Sequence, residues 1–305
     1  MEQPLFLGID GGGTRCRARL CDADGRTLGE GMGGAANIRL APEGVRDAIL
    51  TAATGARERA GLDEAAWRRT HAGFGLAGAG QTSARERIMR QPFPFASIAL
   101  DTDARAAWLG ATAKAAEGDR GAILIVGTGV CGYMEKGEGP ERRRISIGGW
   151  GFPLSDDGSG AVTGREAIRR TLHVCDGLAP PGSLSDAILA DIGPTPEAII
   201  DWGDRATPAD YARFAPVVYA HAAQGDALAR AVATEAALAI GRLTLRLVEL
   251  GAPRVHLIGG LTDTVRPWLA DAVRHHFAPP DADALAGAVA MARENCPGQP
   301  GKAAP

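Results

Sequence analysis

The sequence has no C-x-x-C pair. Its five cysteines, Cys16, Cys21, Cys131, Cys175 and Cys296, are scattered over 305 residues. That excludes the usual zinc spacing, and an odd number implies free thiols in a reducing compartment. Positive charge is not in excess: a formal net charge of −3 leaves no electrostatic footprint for nucleic acid or an anionic membrane. No apolar run approaches the length of a membrane span, and the first apolar segment starts at Leu5 without a basic region before it. A soluble, cytoplasmic protein is expected. The phosphate loop G-x-x-x-x-G-K-[ST] is missing too, and the glycine-rich stretch near the N-terminus joins strand to strand, where a Rossmann fingerprint needs strand into helix.

What is present begins with that stretch, LFLGIDGGGT (Leu5–Thr14). An apolar run stops at Asp10, three glycines and Thr14 follow, and alternation resumes in RCRARLC with Arg15, Arg17 and Arg19 on one face. Asp10–Thr14 is therefore the bend of a β-hairpin. Its glycines permit φ > 0 and leave no Cβ over the backbone, so several N–H groups can converge on a phosphate. Beside bound phosphates a carboxylate needs an intervening cation, which makes Asp10 a candidate Mg²⁺ holder through water. The other reading is a glycine-rich turn in which Asp10 caps its own backbone.

At 305 residues two domains are expected. Glycine, at 42 residues, reads as strand-end loops. A third strand, Arg26–Met32, completes a meander, and the loop Gly33–Ile38 carries Asn37, which suits either a sugar hydroxyl or an Asx-turn. A helix over Glu43–Ala60, a strand His71–Ala77 feeding Gly78-Ala79-Gly80, a helix Thr82–Arg90 and a strand Phe95–Leu100 ending at Asp101-Thr102-Asp103 follow. The next helix, Ala104–Ala116, is opened by those polar residues, with Asp103 either catalytic or its N-cap.

After a crossing near residues 117–120, GAILIV (Gly121–Val126), Gly127-Thr128-Gly129 and the strand Val130–Glu135 repeat the opening arrangement, as an internal echo or by chance. The loop Ile145–Ser159 (ISIGGWGFPLSDDGS) is dense in glycine and holds Trp150 as a packed plug and Asp156-Asp157 as candidate ligands of hydroxyls or a cation. A helical stretch Ser183–Leu250 covers the second sheet. Strand Arg254–Ile258 runs into Gly259-Gly260, flat backbone suited to a purine face or to tight strand–helix packing. Helices Thr262–Phe277 and Ala284–Arg293 close the chain.

With GIDGGGT (Gly8–Thr14), LAGAG (Leu76–Gly80), DTDA (Asp101–Ala104), IVGTG (Ile125–Gly129), GGWG…SDDGSG (Gly148–Gly160) and LIGGL (Leu257–Leu261) in this order, the chain resembles the acetate and sugar kinase/Hsp70/actin superfamily. Within it, the chain is similar to the BadF/BadG/BcrA/BcrD-type ATPase group, which includes N-acetylglucosamine kinases and bacterial glucosamine kinases. The resemblance implies an α/β fold of two ribonuclease-H-like (actin-like ATPase) domains, residues 1–117 and 118–305, flanking a nucleotide and sugar cleft. The second would carry a helical insertion, and the last helix is free to pack back on the first. ATP and Mg²⁺ are the implied cofactors. Asp10 becomes the metal-associated carboxylate, and Gly11, Gly12, Gly13, Thr14, Gly127, Thr128 and Gly129 surround the phosphates, with Gly259 and Gly260 beside the adenosine. Asn37, Ala77, Gly78, Thr128, Gly149 and Asp156 meet the sugar, and Asp103 is the catalytic base. The implied reaction phosphorylates the 6-hydroxyl of N-acetylglucosamine or glucosamine. A small-molecule sugar is the partner, and a homodimer is admitted. An ATPase activating a radical dehydratase and a non-catalytic sugar sensor are the competing readings. Amino-sugar kinases of this group often have Asp-Glu-Gly-Ser where this chain has Asp156-Asp157-Gly158-Ser159, and the animal-type enzymes have a serine near Ala77, so the sugar side of the site is altered.

Overall fold

The computed structural model describes residues 3–39, 44–137 and 139–297. The chain forms two compact units: the described residues up to Ala115 with those from Pro280 onward, and Ala116–Pro279. The break thus falls after Ala115, where residue 117 was expected.

In the first unit, the alternation of LFLGID becomes β1 (Leu5–Gly11), with Leu5, Leu7 and Ile9 buried on one face and Phe6, Gly8 and Asp10 on the other. Burying side chains of that size contributes about 1.5–3 kcal/mol each. β2 (Cys16–Cys21) and β3 (Thr27–Gly33) continue antiparallel. Next comes α1 (Val45–Arg59), which starts after Gly44; the expected start, Glu43, lies outside the described residues. β4 (Thr70–Leu76) runs parallel to β1 and β5 (Ser97–Thr102) parallel to β4, with α2 (Thr82–Met89) between them and α3 (Asp103–Ala111) after. The sheet order is β3-β2-β1-β4-β5, a ribonuclease-H-like arrangement.

Several glycines, among them Gly8, Gly31 and Gly73, lie inside strands, not only at their ends as expected. A Cβ on Gly31 of β3 would stand 1.9 Å from the carbonyl oxygen of Ala52, and Gly29 and Gly33 face Ala56 and Ala48 in the same way. Alanines one helical turn apart on α1 therefore rest directly on strand backbone.

The second unit repeats the opening meander with β6 (Ala122–Val126), β7 (Val130–Lys136) and β8 (Arg143–Gly148). β8 takes the first four positions of what was expected to be the loop Ile145–Ser159. Six helices follow: α4 (Gly160–Cys175), α5 (Ser183–Ile192), α6 (Pro196–Gly203), α7 (Pro208–Ala212), α8 (Ala215–Ala223) and α9 (Ala227–Glu249). They pack with β6 and β9 (Val255–Ile258), parallel to β6, around Leu124, Val218, Val232, Ile240 and Leu257. The order β8-β7-β6-β9 matches the first four positions of the other sheet, so the sequence echo marks a repeated topology. The single helix expected over Thr262–Phe277 is broken into α10 (Thr262–Val265), a 3₁₀ turn at Arg266–Trp268 and α11 (Asp271–Arg274). Pro267 in that turn has no N–H to continue a helix.

The last helix, α12 (Ala284–Glu294), belongs to the first unit. Asp283 caps it by accepting from the Ala286 N–H, and Arg19 grips the same carboxylate through two 2.8 Å bonds. Cβ atoms on Gly8 and Gly73 would stand 2.6 Å and 1.9 Å from the Leu285 and Ala288 carbonyl oxygens. α12 and α3 thus cover the Phe6/Gly8/Asp10 face, opposite α1.

Candidate active site

In the first unit the hairpin bend is tied to two other predicted stations by backbone bonds. Ala77 N–H donates to Gly11 O at 2.8 Å, Ala36 N–H to Gly12 O at 2.8 Å, and Ile38 N–H to Ala77 O at 3.0 Å. Asn37, Ala77 and Gly78 are thereby brought beside Gly11–Thr14. Gly78 sits at φ +87°, where a Cβ would lie 3.0 Å from Asn37 Oδ1. That oxygen accepts from Arg39 N–H at 3.0 Å, the Asx-turn that was the plainer reading of Asn37.

The bend uses its glycines differently from the expectation. None of Gly11, Gly12, Gly13, Gly127 or Gly129 has a positive φ. Gly11 is needed because a Cβ there would stand 2.5 Å from Leu76 Cδ2, while Gly13 faces open space. The turn is closed by Gly12 N–H donating to Arg15 O. The N–H groups of Gly13 and Thr14 take part in no hydrogen bond among the described residues, leaving consecutive donors for an anion.

The two aspartates of DTDA have separate tasks. Asp101 is buried, accepts from the Thr102 N–H, and lies 3.8 Å from the Arg105 Nε and 4.0 Å from the Arg85 guanidinium. It serves the local structure. Thr102, not Asp103, is the N-cap of α3, accepting from Arg105 N–H at 3.1 Å. Asp103 is left in the first helical turn with its Oδ1 accepting from the Ala104 N–H at 2.9 Å. Burial pushes the Asp103 carboxyl above the usual carboxylate range and the charge of Asp10 adds to this, while the Ala104 N–H opposes both. This is the environment of a carboxylate whose affinity for a proton is raised.

Asp10 meets Arg17 directly across the hairpin. The guanidinium Nη2 is 2.6 Å and Nε 3.3 Å from Asp10 Oδ2. Sequence reasoning put Arg17 on a face but gave it no role, although counting outward from a tight bend pairs residue 10 with residue 17. Asp10 Oδ1 makes no hydrogen bond among the described residues, and one such half-buried carboxylate oxygen suits a cation that keeps most of its water, as Mg²⁺ does.

In the second unit, Gly127 O accepts from the Gly160 N–H at 2.8 Å and Thr128 O from the Ala161 N–H at 3.1 Å. Ser159 Oγ accepts from the Val162 N–H, so the α4 terminus is spent on the bend and its own cap. The N–H groups of Thr128 and Gly129 make no hydrogen bond among the described residues, as at Gly13 and Thr14. Asp156 is buried in a left-handed conformation (φ +75°), and its Oδ2 lies 2.8 Å from where a Gly129 Cβ would be. Its Oδ1 is buried without a hydrogen-bond partner. Burial pushes its carboxyl up, against the pull of the Gly151 and Val130 N–H groups. Asp157 is exposed, so the expected pair divides into one inward and one outward carboxylate. Gly149 has φ +72° and lies against Cys131. Trp150, between Gly149 and Gly151 with their positive φ, is 80% exposed and so is not packed as expected.

Gly259 has φ +110° and approaches β6 so closely that a Cβ would stand 2.3 Å from Val126 O, while Gly260 is open. Leu261 N–H donates to that same oxygen, so Gly259-Gly260 and Gly127–Gly129 share the end of β6. Thr262, expected to cap the helix that follows, does not do so, since Leu261 is the N-cap with no side-chain bond, and Thr262 Oγ1 is buried without a partner among the described residues.

The profile of the BadF/BadG/BcrA/BcrD ATPase family matches residues 7–277. The glucosamine kinase GspK of Vibrio cholerae is 39% identical over 287 residues, 94% of this chain and 95% of the relative. An N-acetyl-D-glucosamine kinase of Dictyostelium discoideum is 25% identical over 256 residues, 79% of this chain and 78% of the relative. A crystal structure from Chromobacterium violaceum, assigned as an N-acetylglucosamine kinase, superposes with a TM-score of 0.85 at 32% identity, over 95% of this chain and 99% of that one.

Proposed function

The chain belongs to the BadF/BadG/BcrA/BcrD ATPase family, and from that premise we propose that it is an ATP-dependent kinase that phosphorylates the 6-hydroxyl of an amino sugar, glucosamine or N-acetylglucosamine. Phosphoryl transfer needs in-line positioning, dispersal of phosphate charge and a base for the hydroxyl proton. Asp103 is the base: as the sugar oxygen bonds to the γ-phosphorus and the bond to ADP breaks, the hydroxyl proton passes to its carboxylate. The observation that carries this reading is the setting of Asp103, released from capping by Thr102 and raised in proton affinity by burial and by Asp10.

The unspent N–H groups of Gly13, Thr14, Thr128 and Gly129 hold phosphate oxygens, with Gly11, Gly12 and Gly127 shaping the two bends. Gly259 and Gly260 lie against the adenosine. Asn37, Ala77, Gly78, Thr128, Gly149 and Asp156 meet the sugar. Asp10 would hold Mg²⁺, which disperses phosphate charge when bound. A cytoplasmic location and a homodimer accompany this reading.

The test is ADP release followed across a panel of hexoses and amino sugars. Turnover is expected with glucosamine or N-acetylglucosamine. Asp103→Asn should keep sugar and nucleotide binding while lowering kcat by about 10²–10⁴-fold. Activity near wild type in that variant would remove Asp103 from the role, and turnover with no amino sugar would remove the substrate class.

A further inference from the structure

We infer that Arg17 is the resident counter-ion of Asp10 and that it sets how tightly this carboxylate takes a divalent cation. The inference rests on the kinase reading in one respect, that Asp10 is where the metal is held.

The register leaves Arg17 little choice of partner. Gly11 pairs with Cys16 at the mouth of the hairpin, so Asp10 and Arg17 face each other on the same side of the sheet. Arg19, the next arginine on that side, is held by Asp283 and Glu30, and Arg15 is exposed in the bend. Among the described residues Arg17 is the cation paired with Asp10, and its charge also reaches Asp283. Both of its contacts go to Oδ2, with side-chain exposures of 33% for Arg17 and 21% for Asp10, so the pair is neither sealed nor fully hydrated. Asp10 also acts on Asp103 through its charge. Without Arg17, two carboxylates of one unit would face the phosphates with no fixed cation beside them. A hydrated divalent ion that approaches Asp10 must either take Oδ1 beside the fixed positive charge of the guanidinium or displace Arg17 from Oδ2. Arg17 therefore keeps Asp10 aimed when no metal is present, and in return weakens metal uptake.

The experiment titrates Mn²⁺ alone into the full chain, following free Mn²⁺ by electron paramagnetic resonance. Arg17→Gln is expected to bind Mn²⁺ about three- to fivefold more tightly, the range that losing a partly exposed ion pair allows. Arg17→Lys should stay near wild type, and Asp10→Asn should lose the site. Circular dichroism confirms that each variant is folded. Unchanged or weaker Mn²⁺ affinity in Arg17→Gln, with the site still lost in Asp10→Asn, overturns the inference and leaves the kinase reading standing. Equal Mn²⁺ binding by wild type and Asp10→Asn overturns the metal assignment and this inference together, while the sugar panel still decides the reaction.

Discussion

Asp103 stands in an environment that works against its own ionisation, and this has consequences for stability and for rate. A carboxyl whose pKa is higher in the folded than in the unfolded chain makes the folded state the better proton binder. Below the unfolded value, about 3.9, it is protonated in both states and the environment has no penalty. As pH rises past that value toward the folded pKa, stability is lost, and it remains lost at neutral pH. Asp103→Asn is therefore expected to melt at a higher temperature than wild type at pH 7, with the difference shrinking as the pH falls below about 4. Melting followed by circular dichroism over that range checks this; a variant equally or less stable at pH 7 would contradict the burial argument. The same shift places the acid limb of kcat/KM above the ordinary aspartate range, since the base must be unprotonated to accept.

At the scale of elements, the recurring device is glycine on a strand beneath a helix backbone. Gly73 of β4 is as close a case as Gly31 of β3, because a Cβ would stand 1.9 Å from the Ala288 carbonyl oxygen and 2.8 Å from the Ala292 nitrogen. Backbone cannot rotate aside as a long side chain can. Gly73→Ala should therefore lower unfolding free energy by about 1–3 kcal/mol, read from a shift in urea midpoint with an unchanged slope. A variant as stable as wild type would mean that α12 yields without strain. These contacts explain why some of the architecture was legible and some was not. Alternation in LFLGID and RCRARL, the second apolar run GAILIV, and both bends were legible because strand periodicity and turn residues are local signals. The role of Gly31 or Gly73 was not, since a glycine that admits a helix looks the same as one that bends a loop. Thr102 and Asp103 are adjacent and both suit an N-cap, so only the geometry assigns the cap to one and releases the other. β8 was hidden because RRISIG runs straight into the glycines of the following loop, and the helix beyond Thr262 was overextended across Pro267.

At the scale of the whole chain, the first unit begins at the N-terminus but is completed by the last helix. The ion pair of Arg19 with Asp283 joins residues 264 positions apart. Arg105 reaches Glu294 at 3.0 Å, and Arg293 lies over the Phe6 ring at 4.7 Å from its centroid. Local periodicity carries no trace of such contacts, and closing so long a loop must be offset by the face that α12 buries. The second unit, Ala116–Pro279, needs no segment from outside its own span to complete its sheet. A chain ending at Pro279 should therefore keep the second unit native and lose the first. Without α12, Phe6, Gly8 and Gly73 on the central strands β1 and β4 face water, and Arg19 loses its two-bond partner. Hydrogen exchange read by mass spectrometry distinguishes the outcomes: amides of β6, β7 and β9 should stay protected while those of β1 and β4 exchange rapidly. Slow exchange in β1 and β4 of the shortened chain would show that α1 and the sheet suffice, and that α12 is an accessory to the first unit. Loss of protection in both units would show that the second also depends on the C-terminal helix. The expected pattern also orders folding: the second unit can form as soon as it is synthesised, whereas the first waits for the end of the chain.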